Sequence, residues 1–129
     1  MMISRRILLL TGLAVVAAAP ALAKEPATWN EVAFEAAKAA GKPILLEIHA
    51  VWCPTCKAQT PILGELTSEP KYADLQVFKI DFDTEKDLLK KLNVRTQSTL
   101  IVYKQGAEVG RSVGDTNRDS IAELLSKTL

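Results

Sequence analysis

One short apolar segment that ends beside a pair of cysteines constrains the fold of this chain more than any other feature. Ile44–Ala50 has the length and composition of a fully buried β-strand. Cys53 and Cys56 follow within a few residues, and the apolar spacing after them predicts a helix that runs to about Thr67. A buried strand that passes directly into a helix is a building unit of α/β domains, and 129 residues provide for one such domain.

Predicted helices and strands alternate along the rest of the chain. Capping residues followed by apolar spacing predict three more helices, which begin at Thr28–Glu31, Thr84–Asp87 and Thr116–Asp119. Apolar or β-branched runs predict three more strands, at Leu75–Phe82, Thr99–Tyr103 and Glu108–Val113. Strands separated by helices imply parallel crossovers, and the final hairpin adds an antiparallel edge. The fold class is therefore α/β, with a small mixed β-sheet and helices on both faces.

The first 23 residues have the pattern of a secretory signal peptide. Two arginines precede an almost wholly apolar run, Ile7–Ala19, and Ala21–Ala23 supplies small residues at the positions that a signal peptidase reads. The apolar run is short for a membrane anchor, which is the alternative interpretation. We expect export by the general secretory route, with the twin-arginine route as the alternative. Cleavage after Ala23 would leave one periplasmic domain over residues 24–129.

The two cysteines are placed for redox chemistry. A helix N-terminus carries partial positive charge and unpaired N–H groups, and both stabilise a thiolate on Cys53. Cys56 lies about one helical turn further on, so it can resolve a mixed disulfide that Cys53 forms with a partner. A purely structural disulfide would close only a tiny loop and contribute little stability. A metal site made of Cys53, Cys56 and His49 would have three protein ligands at most.

The segment Trp52–Lys57 resembles the active-site motif of the thioredoxin family. Pro61, five residues after the second cysteine, matches the helix-kink proline of that family, and Val77–Asp81 matches its central strand with a lysine. The resemblance covers nearly all of residues 24–129 and implies a thioredoxin fold. Periplasmic members are the most similar, especially the C-terminal thioredoxin-like domain of the membrane thiol reductant transporter. The Pro54–Thr55 dipeptide is similar to that of reductases that serve cytochrome c maturation.

The resemblance implies catalytic roles for Cys53, Cys56, Glu47 and Lys79. Glu47 stands where the family has a buried acid, and beside Lys79 it would accept a proton from Cys56 through water. The neighbouring apolar residues favour burial of Glu47, with an outward-facing strand carboxylate as the alternative. His49 replaces an aromatic residue of many relatives, and a tuning role and a structural role are both open for it.

The resemblance also implies a substrate-facing surface that is made of Trp52, Pro54, Thr55, Gln97 and Ser98. The family has a cis-proline in a loop opposite the cysteines, and Ser98 occupies that position here. A cis bond before a residue other than proline costs about 3–4 kcal/mol, so we expect a trans bond before Ser98. The change adds a hydroxyl near the thiolates and alters the backbone that normally pairs with a bound chain.

These features predict a periplasmic thiol–disulfide oxidoreductase that serves as a reductant or electron relay to protein disulfides of the envelope. The resemblance implies a membrane thiol reductant transporter as electron donor and a monomeric protein. It implies no metal and no cofactor other than the redox-active Cys53–Cys56 disulfide. A disulfide oxidant or isomerase is one alternative, and a metal-binding or chaperone module that uses the cysteine pair is another. The net charge of +1 gives no electrostatic basis for nucleic-acid binding.

Overall fold

The computed structural model of the chain describes residues 14–16 and 24–129. Its strands are β1 (Ala27–Thr28), β2 (Ile44–His49), β3 (Gln76–Asp81), β4 (Thr99–Lys104) and β5 (Ala107–Val113). Its helices are α1 (Glu31–Ala39), α2 (Pro54–Thr67), α3 (Lys86–Lys91) and α4 (Arg118–Ser126), with a 3-10 turn at Pro70–Tyr72. The predicted signal peptide lies outside the described residues except at 14–16. Within the described ranges no helix is both long enough and apolar enough to cross a membrane.

The strands form one mixed sheet in the order β1-β3-β2-β4-β5. β1 and β2 run parallel to β3, whereas β4 is antiparallel to β2 and β5 is antiparallel to β4. The predicted α/β class is therefore confirmed. β1 has no signature in the sequence, because a strand of two residues shows no periodicity. It exists through pairing with β3, beside which the Trp29 N–H donates to the Lys79 carbonyl at 3.0 Å.

Alternate residues of β2 are buried in two separate cores, one on each face of the sheet. Ile44, Leu46 and Ile48 pack on one face with residues of α1 and α3. Leu45 packs on the other face with residues of α2 and α4. Because β2 lies at the centre of the sheet and helices cover both of its faces, nearly every position of the strand is apolar. Glu47, on the face of Leu45, is the exception that matters for the site.

Asparagine side chains, not the predicted threonines, cap two of the helices. Asn30 Oδ1 accepts a hydrogen bond from the Ala33 N–H at 2.9 Å, so α1 begins two residues later than a cap at Thr28 would place it. Thr28 instead belongs to β1, where pairing with β3 holds its backbone extended. Asn117 caps α4 in the same way. The predicted cap at Thr84 is wrong, because α3 begins after Glu85 without a side-chain capping bond.

Candidate active site

The cysteine pair forms a disulfide at the first turn of α2. Cys53 is the N-cap residue, and its Sγ accepts a hydrogen bond from the Cys56 N–H at 3.1 Å. The two Cα atoms are 5.3 Å apart, and both residues are almost completely buried. Pro54 occupies the first helical position, where the missing N–H costs nothing because that group has no partner within the helix. In the reduced protein the Cys56 N–H and the partial positive charge at the start of α2 would stabilise a thiolate on Cys53.

Two exposed apolar side chains precede the buried disulfide. Val51 is 79% exposed and Trp52 is 54% exposed. The Trp52 indole N–H donates to Asp83 Oδ2 at 2.9 Å, which fixes the ring against the segment that follows β3. Val51 and Trp52 therefore form an exposed apolar surface directly before the buried disulfide in the chain.

Glu47 is a buried carboxyl group beside a lysine of the next strand. It is 8% exposed, so it is not an outward-facing strand carboxylate. Its register partner on β3 is Lys79. Burial raises the pKa of Glu47 from an ordinary value of 4.5 to about 7, while the Lys79 ammonium lowers it and Glu25 raises it further. A carboxyl group with this pKa can both accept and release a proton near neutral pH.

A small cavity connects Glu47 with the second cysteine. It has a volume of about 10 Å³, close to the smallest space that can hold one water molecule. Its lining includes Glu47 and His49 from the end of β2 and Cys56, Gln59 and Thr60 from α2. The site therefore brings Cys56, Glu47 and His49 together around a space that is about the size of one water molecule. Proton transfer through one bridging water is chemically feasible in this arrangement.

The Ser98 loop is held against the end of β2 by backbone hydrogen bonds. Ser98 is 4% exposed and has a φ of +59°, and no peptide bond of the described residues is cis. The expected trans bond before Ser98 is therefore confirmed. Its N–H, a group that proline lacks, donates to the Ile48 carbonyl at 2.8 Å. Its hydroxyl donates to the Gln97 carbonyl at 2.5 Å, so that hydroxyl is already engaged within the loop.

Gln59 connects α2 to this loop, although no sequence motif marks the residue. The residue is 3% exposed, and its Nε2 donates to the Ser98 carbonyl at 3.1 Å and to the Asp115 carbonyl at 2.8 Å. The only sequence signal is the position of a polar residue one turn after Cys56, on the side of α2 that faces the sheet. Such a residue is indistinguishable from a surface glutamine until the loops from distant parts of the chain are in place.

Replacing Gln59 by leucine should destabilise the protein by about 1–3 kcal/mol. The part-buried Asp115 carbonyl loses the Gln59 donor, and the Ser98 carbonyl keeps only one of its two donors, the Gly114 N–H. Urea unfolding of the oxidised protein measures the change. Gln76→Leu is the matched control, because the Gln76 amide bonds only to an exposed carbonyl. Equal stability of the two variants would contradict a bridging role for Gln59.

The described residues contain no group of three or more His, Cys, Asp or Glu side chains that could hold a metal ion. The redox group of the site is the disulfide itself. An α/β domain with a buried dithiol pair at the start of a helix defines the class of the protein, a thiol–disulfide oxidoreductase.

Comparisons with known proteins agree with this class. Residues 25–127 match the family described as Thioredoxin, so the chain belongs to the thioredoxin family. It is 38% identical to a thioredoxin of Chlamydia muridarum over 84 residues, which are 65% of this chain and 80% of that one. It is 37% identical to a thioredoxin H-type of Fagopyrum esculentum over 86 residues, which are 67% and 72% of the two chains.

Solved structures give the same result at the level of the fold. The crystal structure of Trxlp from Edwardsiella tarda superposes with a TM-score of 0.76 at 42% identity and covers 78% of this chain and 98% of that one. Thioredoxin NaTrxh of Nicotiana alata superposes with a TM-score of 0.69 at 28% identity, covering 81% and 96%. The predicted thioredoxin fold and the predicted oxidoreductase activity are thereby confirmed.

Proposed function

We propose that this thioredoxin-family protein is a periplasmic reductant or electron relay for disulfides of envelope proteins. The observation that carries the proposal is the buried Cys53–Cys56 disulfide at the N-terminus of α2, beside an exposed Trp52. The signal-peptide pattern of residues 1–23 supports the compartment, and the Pro54–Thr55 dipeptide supports the reducing direction. Because the periplasm is oxidising, the protein needs an electron supply, for which we propose a membrane thiol reductant transporter.

In the proposed reaction Cys53 is the attacking cysteine. Its thiolate forms a bond to one sulfur of the substrate disulfide, and the other substrate sulfur leaves as a thiolate that takes a proton from solvent. The Cys56 thiol then loses its proton, attacks Cys53 Sγ, and releases the remaining substrate sulfur as a second thiolate. The protein dithiol is oxidised to the disulfide and the substrate disulfide is reduced to two thiols, so two electrons pass to the substrate.

We assign the proton of Cys56 to Glu47. The carboxyl group shares the 10 Å³ cavity with Cys56, and a single water there would bridge the two. Lys79, the register neighbour of Glu47, favours the charged carboxylate and so keeps part of the population able to accept a proton. Glu47 would return the proton to Cys56 when a donor reduces the disulfide.

We propose that the substrate meets the protein at Trp52, Pro54 and Thr55 and at the Gln97–Ser98 loop. The backbone N–H and carbonyl groups of Ser98 already have hydrogen-bond partners within the protein. Its N–H is bonded to Ile48, and its carbonyl accepts from both Gln59 and the Gly114 N–H. Backbone hydrogen bonds to a bound substrate chain must therefore come from Gln97 and the residues before it. Fewer residues of the loop can pair with the substrate than in a loop whose backbone groups are all free.

The reduction potential tests the direction of electron flow. The oxidised protein is equilibrated with dithiothreitol or glutathione buffers, and the dithiol fraction is measured by thiol trapping. We expect a potential near ≈ −270 mV, the value of a thioredoxin-type reductant. A potential near ≈ −120 mV, that of a strong periplasmic oxidant, would contradict the proposal and favour the oxidant or isomerase alternative. The variant lacking both cysteines controls for nonspecific trapping.

The compartment has a test of its own. Expression of the full chain in a bacterium with a periplasm should yield a processed protein whose N-terminal sequence begins at Lys24. Osmotic shock should release this form, and a variant with Ala21 and Ala23 replaced by bulky residues should stay unprocessed. Recovery of only the unprocessed wild-type chain in the cytoplasm would exclude a periplasmic role.

A further inference from the structure

His49 lines two spaces at once. It is the last residue of β2 and is half-buried there. On one side it lines the 10 Å³ cavity together with Cys56 and Glu47. On the other side it lines a groove of about 450 Å³, together with Lys79, Asp81 and other residues. Glu47 and Cys56 do not line this groove, so His49 is the titratable side chain common to both spaces.

The groove leads from His49 to the protein surface. Val51, which is 79% exposed, forms part of its wall. Its charged lining comes from Lys79 and Asp81 of β3 and from Glu85, which precedes α3. On the inner side the cavity contributes Glu47 from β2 and Cys56 from α2, with the uncharged Gln59 and Thr60. These are the charged and titratable groups that face His49 from the elements around it.

We propose that His49 is a second proton carrier for Cys56, and that it passes protons between the inner cavity and the outer groove. The inference rests on the assignment of Cys56 as the resolving cysteine. It goes beyond the Glu47 relay, because it adds a proton route to the surface through a groove that Glu47 does not line. A phenylalanine or a tryptophan at this position would close the route, since neither side chain has a basic nitrogen.

The protonation state of His49 suits this role. Burial and the Lys79 ammonium lower the pKa of His49, against the opposing effect of Asp81. The imidazole is therefore predominantly neutral at pH 7, with one ring nitrogen free to accept and the other able to donate. Glu47, with a pKa of about 7, is increasingly protonated below neutrality and then accepts poorly. His49 would supply the base in that pH range.

In the proposed step His49 first takes up the Cys56 proton and then releases it. The Cys56 S–H proton moves through a water in the cavity to the His49 imidazole, which becomes imidazolium. The Cys56 thiolate attacks Cys53 Sγ, forms the Cys53–Cys56 bond and breaks the bond to the substrate sulfur, which leaves with the electron pair. The imidazolium then releases its proton into the groove, and a proton from solvent neutralises the substrate thiolate. His49 ends the cycle neutral.

The resolving step can be measured directly with the aromatic disulfide of thionitrobenzoate. The reduced protein releases one coloured thiol when Cys53 is modified and a second when Cys56 attacks. With saturating reagent, we expect His49→Gln to slow the second release by roughly tenfold near pH 6 and much less near pH 8. Glu47→Gln should have the opposite pH dependence. Thr84→Ala, which changes only the wall of the groove, should leave both releases unchanged.

An unchanged second release in His49→Gln at both pH values would overturn the inference, and so would a slowing that does not depend on pH. The assay reports an intramolecular step, so its outcome is independent of whether the protein is a reductant or an oxidant in vivo.

A second measurement covers the case in which His49 variants do not fold. His49 is the only histidine of the chain, so its ring signals in NMR spectra are unambiguous. We expect its titration midpoint to shift between the oxidised and the reduced wild-type protein, because reduction creates a titratable Cys56 thiol in the shared cavity. It should also shift in Glu47→Gln. Identical titration curves in all of these states would contradict a shared proton network.

Discussion

Replacing Cys56 by serine should convert the protein into a covalent trap that stops after the first half of the reaction. Cys53 can still attack a substrate disulfide, because the helix N-terminus that stabilises its thiolate is intact. A serine hydroxyl cannot displace the substrate sulfur, so the mixed disulfide accumulates and turnover falls to the background rate. Non-reducing electrophoresis of the variant with a reducible substrate such as insulin measures the trapped adduct.

Cys53→Ser is the matched control for this prediction. This variant has a hydroxyl in place of the Cys53 sulfur. It should neither reduce the substrate nor accumulate the mixed disulfide, because Cys56 faces the inner cavity with Glu47 and His49. A stable adduct through Cys56 in that variant would reverse the assignment of the two cysteines. Full turnover of Cys56→Ser would show that a second cysteine is not needed for resolution.

Replacing Glu47 by glutamine should make the oxidised protein more stable above neutral pH, by about 3 kcal/mol. The folded state raises the pKa of Glu47 from 4.5 to about 7, so it binds a proton more tightly than the unfolded chain does. Stability conferred by the wild-type group therefore falls as the pH rises from about 4.5 to about 7, and above this range the penalty is constant. Each tenfold difference in proton affinity corresponds to about 1.4 kcal/mol, which gives the predicted gain. Glutamine has no charge, so the variant does not carry the free-energy cost of burying a carboxylate.

Urea unfolding at about pH 4 and about pH 8 measures this effect. The wild-type protein and Glu47→Gln should have similar stability at the lower pH and separate at the higher one. Glu123→Gln removes an exposed carboxylate of α4 and should be nearly neutral at both. A Glu47→Gln variant that is less stable than wild type near pH 8 would contradict the desolvation of this carboxyl group. The same variant should resolve mixed disulfides more slowly, so stability and activity would change in opposite directions.

Local sequence signals predict most of the fold. The apolar run of β2 and the β-branched run of β4 have the length and composition of buried strands, and the apolar spacing of α2 fits a helix. Each of these elements lies within a few residues of its predicted position. Helix boundaries were less well predicted, because asparagine and threonine are both good caps and only the backbone geometry decides between them. Thr28 and Asn30 are both candidate caps in the sequence, and the folded backbone places Asn30 at the N-cap of α1.

In the candidate site, too, some residues have local sequence signals and others are recognisable only in the folded structure. Cys53 and Cys56 are recognisable from their spacing and their position after a buried strand, and Glu47 is recognisable as a carboxylate within an apolar run. Gln59 was not recognisable, because its importance depends on carbonyls of Ser98 and Asp115, dozens of residues away along the chain. The position of His49 between two cavities was equally hidden, because cavities form between elements and have no local pattern.

The sequence by itself determined the α/β class, the redox pair and the buried acid, because each depends on the chemistry and periodicity of neighbouring residues. Only the tertiary structure decided which groups share a cavity with Cys56 and which hydrogen bonds hold the Ser98 loop. Those properties come from β2, α2 and the loops around Ser98 and Asp115, which converge from separate parts of the chain. Hydrogen bonds, desolvation and proton transfer act over a few ångströms, so they depend on this convergence and not on distance along the sequence.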